Sequence, residues 1–576
     1  MSASVKVPRP WLFGPSIDLL FGCGLGYALV ASILAAIHPT MDRIQGWLPF
    51  VILFTGLPHY GATLERVYGA PASRERYGRY AWAFGLLVWG AFVATLFSGK
   101  GGSALVTLYL TWSPWHYAAQ NFGLVMMFLR RAGAEVTLGF RRLVRLSFVL
   151  SFLLVFVNIH RRSALAVNDP LYAAPSARDA VRFVALGIPE GFAQGALVCL
   201  GIAYFVTTIL AIVGVFRRTT KGMCAPALAL FASQGIWFVL PVVLGRFVPE
   251  WVSPNGPTAL AFIWVAIAHS VQYLWISLYL ARTSGRTTTE LGSWARYAGM
   301  TIFAGAALWV FPVLISVKGG LTRMPHESGL DMLVASAVNL HHFLLDGVIW
   351  KLRDAPVRET LVDGRFSGAQ ETVQSRRIAA GKWFVVLSGL IAVTFWIVAA
   401  WEQEIGRRQS VARGDVERLE VAEKRLAMVG RDGPRIHQAL GKLLQSRGDF
   451  DGALAEYRRS IASWPTVPAW VGVGKVSEKM GKLEEARIAY ESALAIEPNH
   501  ASTLDDLAHV VAAGGDIEEA LRIQRRALLA APDRQDLRRR YDALLVKLPV
   551  RDDDAAVEIV VDVKGAGKSD LDVPNP

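Results

Sequence analysis

The chain is 576 residues long, 53% hydrophobic and only 19% charged, with a mean hydropathy of +0.35 and a formal net charge of +13. That balance excludes an ordinary soluble multidomain plan and points to a helical membrane protein, with the lipid bilayer as its first partner. No nucleic-acid partner is needed for the positive charge, since arginines flanking membrane segments against anionic lipid account for it, and three cysteines within apolar runs give neither a disulfide framework nor a thiolate metal site.

Apolar runs long enough to cross about 30 Å of hydrocarbon lie near 11–37, 46–66, 80–98, 103–129, 143–159, 192–216, 223–247, 257–281, 295–317, 330–350 and 382–401. The length criterion predicts roughly eleven spans. The first run is too long, and lacks the cleavage pattern, for a removable signal peptide. Lysine and arginine collect in alternate connections, at Arg66–Arg79, Arg130–Arg145, Arg217–Lys221, Arg282–Arg296 and Lys351–Lys382. Basic loops stay cytoplasmic. The expectation is a multi-pass protein of the bacterial inner membrane, amino terminus inside and, after an odd number of spans, carboxyl terminus in the periplasm.

Beyond Trp401 the composition turns charged and alanine-rich. Gly441, Ala453, Tyr457 and Pro465 recur as Gly474, Ala486, Tyr490 and Pro498, and again as Ala508, Ala520, Gln524 and Pro532. The period of about 33 to 34 residues, with small residues where two helices touch, an aromatic in the groove and proline after the second helix, resembles the tetratricopeptide repeat. That resemblance implies an α-solenoid over 434–547 with "DRQDLRRRYDALLVKL" as its cap, and a protein or peptide partner on its concave face. The plan is therefore all-α: a membrane domain over 1–401, a connector over 402–433, the solenoid, and a polar tail over 548–576.

Five of the eleven histidines fall inside apolar runs: His59, His116, His269 and the adjacent His341 and His342. Their four runs share one direction, and the rings precede the first cytoplasmic basic residue by similar stretches, about 10 to 21 Å at 1.5 Å per residue. A lone intramembrane histidine is ordinarily an interhelical hydrogen-bond donor. Five at one depth point to a shared metal site. Helical spacing adds polar neighbours one turn away, Gln120 for His116, Gln272 for His269, and Asn339 and Asp346 for His342. Asp346 is expected to steer the ring of His342 from outside the ligand set, and Asp18 in the first run is a further carboxylate candidate.

Imidazoles with carboxylates and no thiolates suit non-haem iron, zinc or copper, or two rings could clamp a haem. The HxxxH and HxxHH boxes of membrane desaturases are absent. "GLPHYGA" around His59 resembles the proline–histidine–glycine motif of the Brp/Blh carotene-cleaving membrane oxygenases, whose iron is likewise held by histidines from several helices. The resemblance implies His59 as an iron ligand, though that family's histidine–aspartate signatures are not evident elsewhere. The expectation is an iron oxidase acting on a lipid or isoprenoid, with Tyr60, Tyr273, Trp112, Trp115, Trp264 and Trp275 lining its pocket. The alternatives are a repeat-bearing membrane scaffold, a haem electron-transfer protein and a repeat-containing glycosyltransferase, the last opposed by the short first external loop.

Overall fold

The computed structural model describes residues 10–37, 41–69, 71–96, 99–161, 181, 183–220, 222–247, 261–283, 287, 291–309, 329–352, 354–363 and 376–547. The polar tail, His38 and His326 lie outside them. Among the described residues the fold is all-helical, with one isolated bridge between Arg161 and Ile188 and no strand.

The first apolar run is not one helix. A turn over Pro15–Ile17 widens over Asp18–Gly22 and stops at Gly24, whose φ of 77° lies in the left-handed region, before α1 begins at Leu25–Ile37. Asp18 causes the break as much as the glycines do. Its carboxylate accepts from the backbone N–H of Leu12 (2.6 Å) and Phe13 (3.1 Å) and from the Trp275 indole (2.9 Å), folding the entering chain back onto the turn.

The other apolar segments form α2 (Met41–Tyr68), α3 (Pro71–Thr95), α4 (Gly99–Arg131), α5 (Leu138–His160), α6 (Glu190–Arg218), α7 (Ala225–Gln234, continuing through a widened turn to Phe247), α8 (Ala261–Thr283), α9 (Leu291–Ala307) and α10 (Leu330–Ile349). A short α11 (Ala355–Leu361) and the long α12 (Arg376–Ala400) follow. Among the described residues six segments are long and apolar enough to cross a membrane: α5, α6, α7, α8, α10 and the continuous stretch from Trp383. Helices α2, α3 and α4 have the length but interrupt their apolar runs with polar, glycine or proline residues. Helix α6 turns Phe192, Ile202, Phe205, Ile209 and Phe216 outward, each more than half exposed. An apolar face of that extent is foreign to a water-soluble surface.

Two glycines set the position of α2. A Cβ at Gly61 would fall on the Thr301 carbonyl, and one at Gly305 on the Leu57 carbonyl, so α2 and α9 meet backbone to backbone. Small residues permit such contact between apolar helices, where packing rather than hydrophobic exclusion drives association.

The expected connector over 402–433 is itself folded. α12 runs through a widened turn (Trp401–Gly406) into α13 (Arg407–Arg413) and α14 (Val416–Met428), whose Leu419, Ala422 and Leu426 pack on Ile436 and Leu440 of α15 (Pro434–Ser446). Glu402 is buried in the widened turn between the guanidinium groups of Arg418 (2.8 Å) and Arg425 (2.7 Å). A buried carboxylate survives when paired in this way. Three charges of the expected connector thus form one internal anchor.

From α15 onward the helices pair: α16 (Phe450–Ser463), α17 (Val467–Lys479), α18 (Leu483–Ile496), α19 (Ala501–Ala513), α20 (Ile517–Ala530) and the capping α21 (Gln535–Leu545). The small and groove-filling signature residues pack where the repeat needs them. Ala453, Ala486, Ala508 and Ala520 are fully buried at helix contacts, and the Tyr457 ring lies 3.0 Å from where a Cβ on Gly441 would stand. Gln524 takes the aromatic slot of the third unit and donates to Asp505 (2.9 Å) and to the Leu537 carbonyl (3.2 Å) in α21.

Candidate metal centre

Helices α2, α4, α8 and α10 bring His59, His116, His269 and His342 to one buried point. Ring centroids stand 4.2 Å apart for His59 and His342, 5.0 Å for His59 and His269, 5.0 Å for His116 and His269, and 5.4 Å for His116 and His342. Two donor groups result, His59–His269–His342 and His116–His342–Asp346, with the ligating atoms of each within 4.8 Å of one another. Prolines inside α2 (Pro58) and α4 (Pro114) lie one residue before His59 and two before His116. Each removes an N–H from its helix and crowds the carbonyl four residues back.

The hydrogen bonds can be followed donor by donor. The Asp346 carboxylate only accepts when ionised, so the 3.0 Å contact at Oδ1 uses the Tyr273 hydroxyl proton. Trp350 donates to the Tyr273 oxygen (3.2 Å), and the 2.6 Å contact between Thr63 and Tyr273 then uses the Thr63 proton. Thr63 is left to accept from Nδ1–H of His342 at 2.9 Å. His342 is thereby held with the proton on Nδ1 and a bare lone pair on Nε2.

His59 follows the same logic. The Ser270 hydroxyl donates to the Ala266 carbonyl (2.9 Å) and accepts from Nδ1 of His59 (3.3 Å), which turns a bare Nε2 to the centre. Among the described histidines, the buried ring nitrogens without a protein hydrogen-bond partner are His59 Nε2, His116 Nε2, His342 Nε2 and both nitrogens of His269. Orphaned buried polar atoms are rare and costly. His160, equally buried in α5, shows the usual alternative: one nitrogen meets Thr111 (2.9 Å) and the other accepts from the Leu186 N–H (3.2 Å).

Two acceptors also face one another. Nε2 of His342 lies 3.1 Å from Oδ2 of Asp346, and Nε2 of His116 lies 3.6 Å from the same oxygen. Lone pairs at that separation repel unless a cation stands between them. A proton would relieve one contact, whereas a multivalent ion relieves all of them.

The sequence-predicted residues divide accordingly. His341 is not with the cluster; about 100° round the helix from His342, it points to α3, toward the Ala81 backbone and Gly85. Asp18 is held by its own backbone contacts and the Trp275 indole, away from the histidines. Gln120 donates to Gln272 (2.5 Å), which donates to Asn121 (3.0 Å) and the Gly22 carbonyl (2.9 Å). Asn339 accepts from Tyr60 (3.0 Å). These amides join helices rather than serve the rings. Asp346 sits beside Nε2, on the ligand side, and the steering expected of it falls to Thr63 instead. Ser270 and Trp350 were missed; each lies beside an anticipated residue, but its partner is on another helix.

A cavity of about 340 Å³ opens beside the centre between α4, α8, α10 and α11, with His116, Asp346 and Tyr273 in its wall. Trp112 and Trp115 line it as expected, whereas Tyr60, Trp264 and Trp275 do not.

Comparison with known proteins bears on the solenoid. The tetratricopeptide repeat family matches residues 467–500. A probable biofilm formation methyltransferase, WspC, of Pseudomonas aeruginosa is 36% identical over 85 residues, 15% of this chain and 20% of the relative. Its Pseudomonas putida counterpart is 33% identical over 88 residues, 15% and 21% of the two chains. The chain spans about a fifth of the length of these curated relatives. The crystal structure of TTC0263, a thermophilic TPR protein of Thermus thermophilus, covers 30% of this chain and 94% of its own at 21% identity and a TM-score of 0.22. The carboxyl-terminal part of the chain carries tetratricopeptide repeats.

Proposed function

We propose that the amino-terminal part is a membrane-embedded oxidoreductase whose centre is an iron ion held by His59, His116, His269, His342 and Asp346, acting with dioxygen on a lipid or isoprenoid. The observation that carries the reading is a set of buried imidazole nitrogens without partners, Nε2 of His59, His116 and His342 and both nitrogens of His269, beside a carboxylate, with two of them 3.1 and 3.6 Å from one oxygen. Imidazoles with one carboxylate and no thiolate suit iron, as they suit zinc or copper, and iron would supply oxygen activation. The chain's own residues do the rest. Thr63 and Ser270 fix two tautomers, Phe343 stacks on His116 at 4.1 Å, and the surrounding side chains exclude water. Haem fits less well, because rings this close leave no slot for a porphyrin.

We further propose that roughly eleven segments cross the membrane, that 1–401 is one membrane domain, and that the solenoid lies on the periplasmic side and recruits a protein partner. Support for the side comes from Arg431, just ahead of the repeats, which meets Asp331 in the first turn of α10 (2.8 Å), at the end of that helix opposite Lys351.

Metal analysis of the full chain purified into lipid nanodiscs, with an absorption spectrum, tests the centre. Stoichiometric iron without a haem spectrum is expected in the parent, and a large loss in H59A, H269A and H342A. Equal metal in parent and variants would end the proposal.

A further inference from the structure

The cavity holds information about the molecule that would meet the centre. Its wall is aromatic and aliphatic, from Trp112, Trp115, Met127, Ile276 and Phe343, and its inner end is polar, at His116 and Asp346. Lys351, one residue beyond Trp350 and less buried than Asp346, also lines the cavity. Among the described lining residues it is the one lysine or arginine, and Asp346 is the one carboxylate. The side of the cavity is open because its residues are small. A Cβ on Gly123 of α4 or on Gly347 of α10 would meet nothing within 4 Å, and Ala119 and Gly347 are exposed while Asp346 beside them is buried.

We infer that this cavity binds a single-chain lipid carboxylate, its headgroup on Lys351 and its chain passing His116 and Asp346. The inference rests on the proposed centre for its meaning but not for its test. A carboxylate is favoured over a neutral or cationic head because the lining offers one ammonium and the membrane-facing wall offers an alkyl chain only apolar contact. Lys351 lies five residues beyond Asp346 and two beyond the end of α10 at Ile349. The carbon presented to the centre is therefore several bonds from the head, inside the chain rather than beside the carboxylate. Entry is sideways from the bilayer, past Ala119, Gly123 and Gly347.

The test uses the full chain in zwitterionic nanodiscs and two probes, tritiated palmitic acid and tritiated hexadecanol, with metal content measured on the same preparations. K351Q should weaken palmitate binding about tenfold, the loss of one charge-assisted contact, and leave hexadecanol unchanged. K351R should restore palmitate binding. G347L, which fills the open side, should weaken both probes while retaining the parent's metal. Palmitate binding untouched by K351Q, or both probes untouched by G347L, would overturn the inference. The two readings fail separately: a metal-free parent showing this pattern keeps the carboxylate site and loses the iron centre, whereas an iron-loaded parent indifferent to K351Q does the reverse.

Discussion

Thr63→Val isolates the hydrogen-bond chain from the ligands themselves. The substitution keeps the side chain's shape and removes a hydroxyl that touches Tyr273 at 2.6 Å and Nδ1 of His342 at 2.9 Å. In the metal-loaded protein, Nδ1–H of His342 would lose its acceptor while buried, at a cost of about 1 to 3 kcal/mol. Without metal the ring can turn or change tautomer and recover part of that. The difference between the two states is what metal affinity reads. It corresponds to about a 10- to 100-fold weakening, the usual penalty for removing a partner behind a ligand, or about 1.4 to 2.7 kcal/mol at 1.36 kcal/mol per decade.

The assay is chelator competition on the full chain in nanodiscs, paired with thermal unfolding at saturating metal and without metal. Affinity should fall while the metal-free melting temperature moves little. An unchanged affinity, or an equal loss of stability in both states, would show that Thr63 merely joins α2 to α8 and α10 and that the tautomer argument is wrong.

Other consequences are accessible to similar measurements. His341→Phe should leave metal content at the parent's level, since that ring faces α3; a loss matching H342A would place it in the centre after all. Gly305→Leu should force α2 off α9 and deplete metal through His59, although Gly305 touches no ligand, and retention of full metal would refute the backbone contact as the device that positions His59. Removing Glu402's charge as E402Q should loosen the junction between α12 and α14, read as faster hydrogen exchange over 416–428, and unchanged exchange would count against it as an anchor. In the solenoid, burial beside Asp505 and Glu478 holds the Asp506 carboxyl above its ordinary value, against the pull of Lys475 at 3.3 Å. A raised folded-state pKa gives stability that is full below the unfolded value of about 3.9 and is lost as pH rises through the folded one. D506N should therefore flatten the pH dependence of repeat melting just above pH 4, and an unaltered slope would assign it to other carboxylates.

The repeats were legible because their signal is local and periodic: Tyr457 packs against Gly441 within its own unit, and the same chemistry returns at Tyr490 and Gly474. Histidine depth was legible for a related reason, since axial position along a helix follows from residue count. Rotation about the helix axis followed only where two residues were adjacent, as for His341 and His342. The partner of each polar group was not legible. Thr63 lies one turn from His59, yet it serves His342 on another helix, and Asp18 turns to backbone groups only five and six residues away. That the connector after Trp401 would be helical was not legible, because the pairing of Glu402 with Arg418 and Arg425 joins residues 16 and 23 positions apart.

The two donor groups are physically unequal, and the difference assigns them different work. His59, His269 and His342 are 1 to 2% exposed and none lines the cavity, so their ring positions are set by helix packing and by the hydrogen bonds of Thr63 and Ser270. His116 and Asp346 border both the centre and the cavity. A catalytic site needs ligands that fix the ion and a face that remains open to a reactant. In the proposed centre the closed triad would meet the first need and the open pair the second, with His342 common to both. Asp346 also ends the chain of donors from Trp350 and Tyr273, which neutralises part of its charge and leaves Oδ2 to the centre. A molecule arriving along the cavity would therefore meet the one face of the centre where protein groups can yield without unpacking a helix.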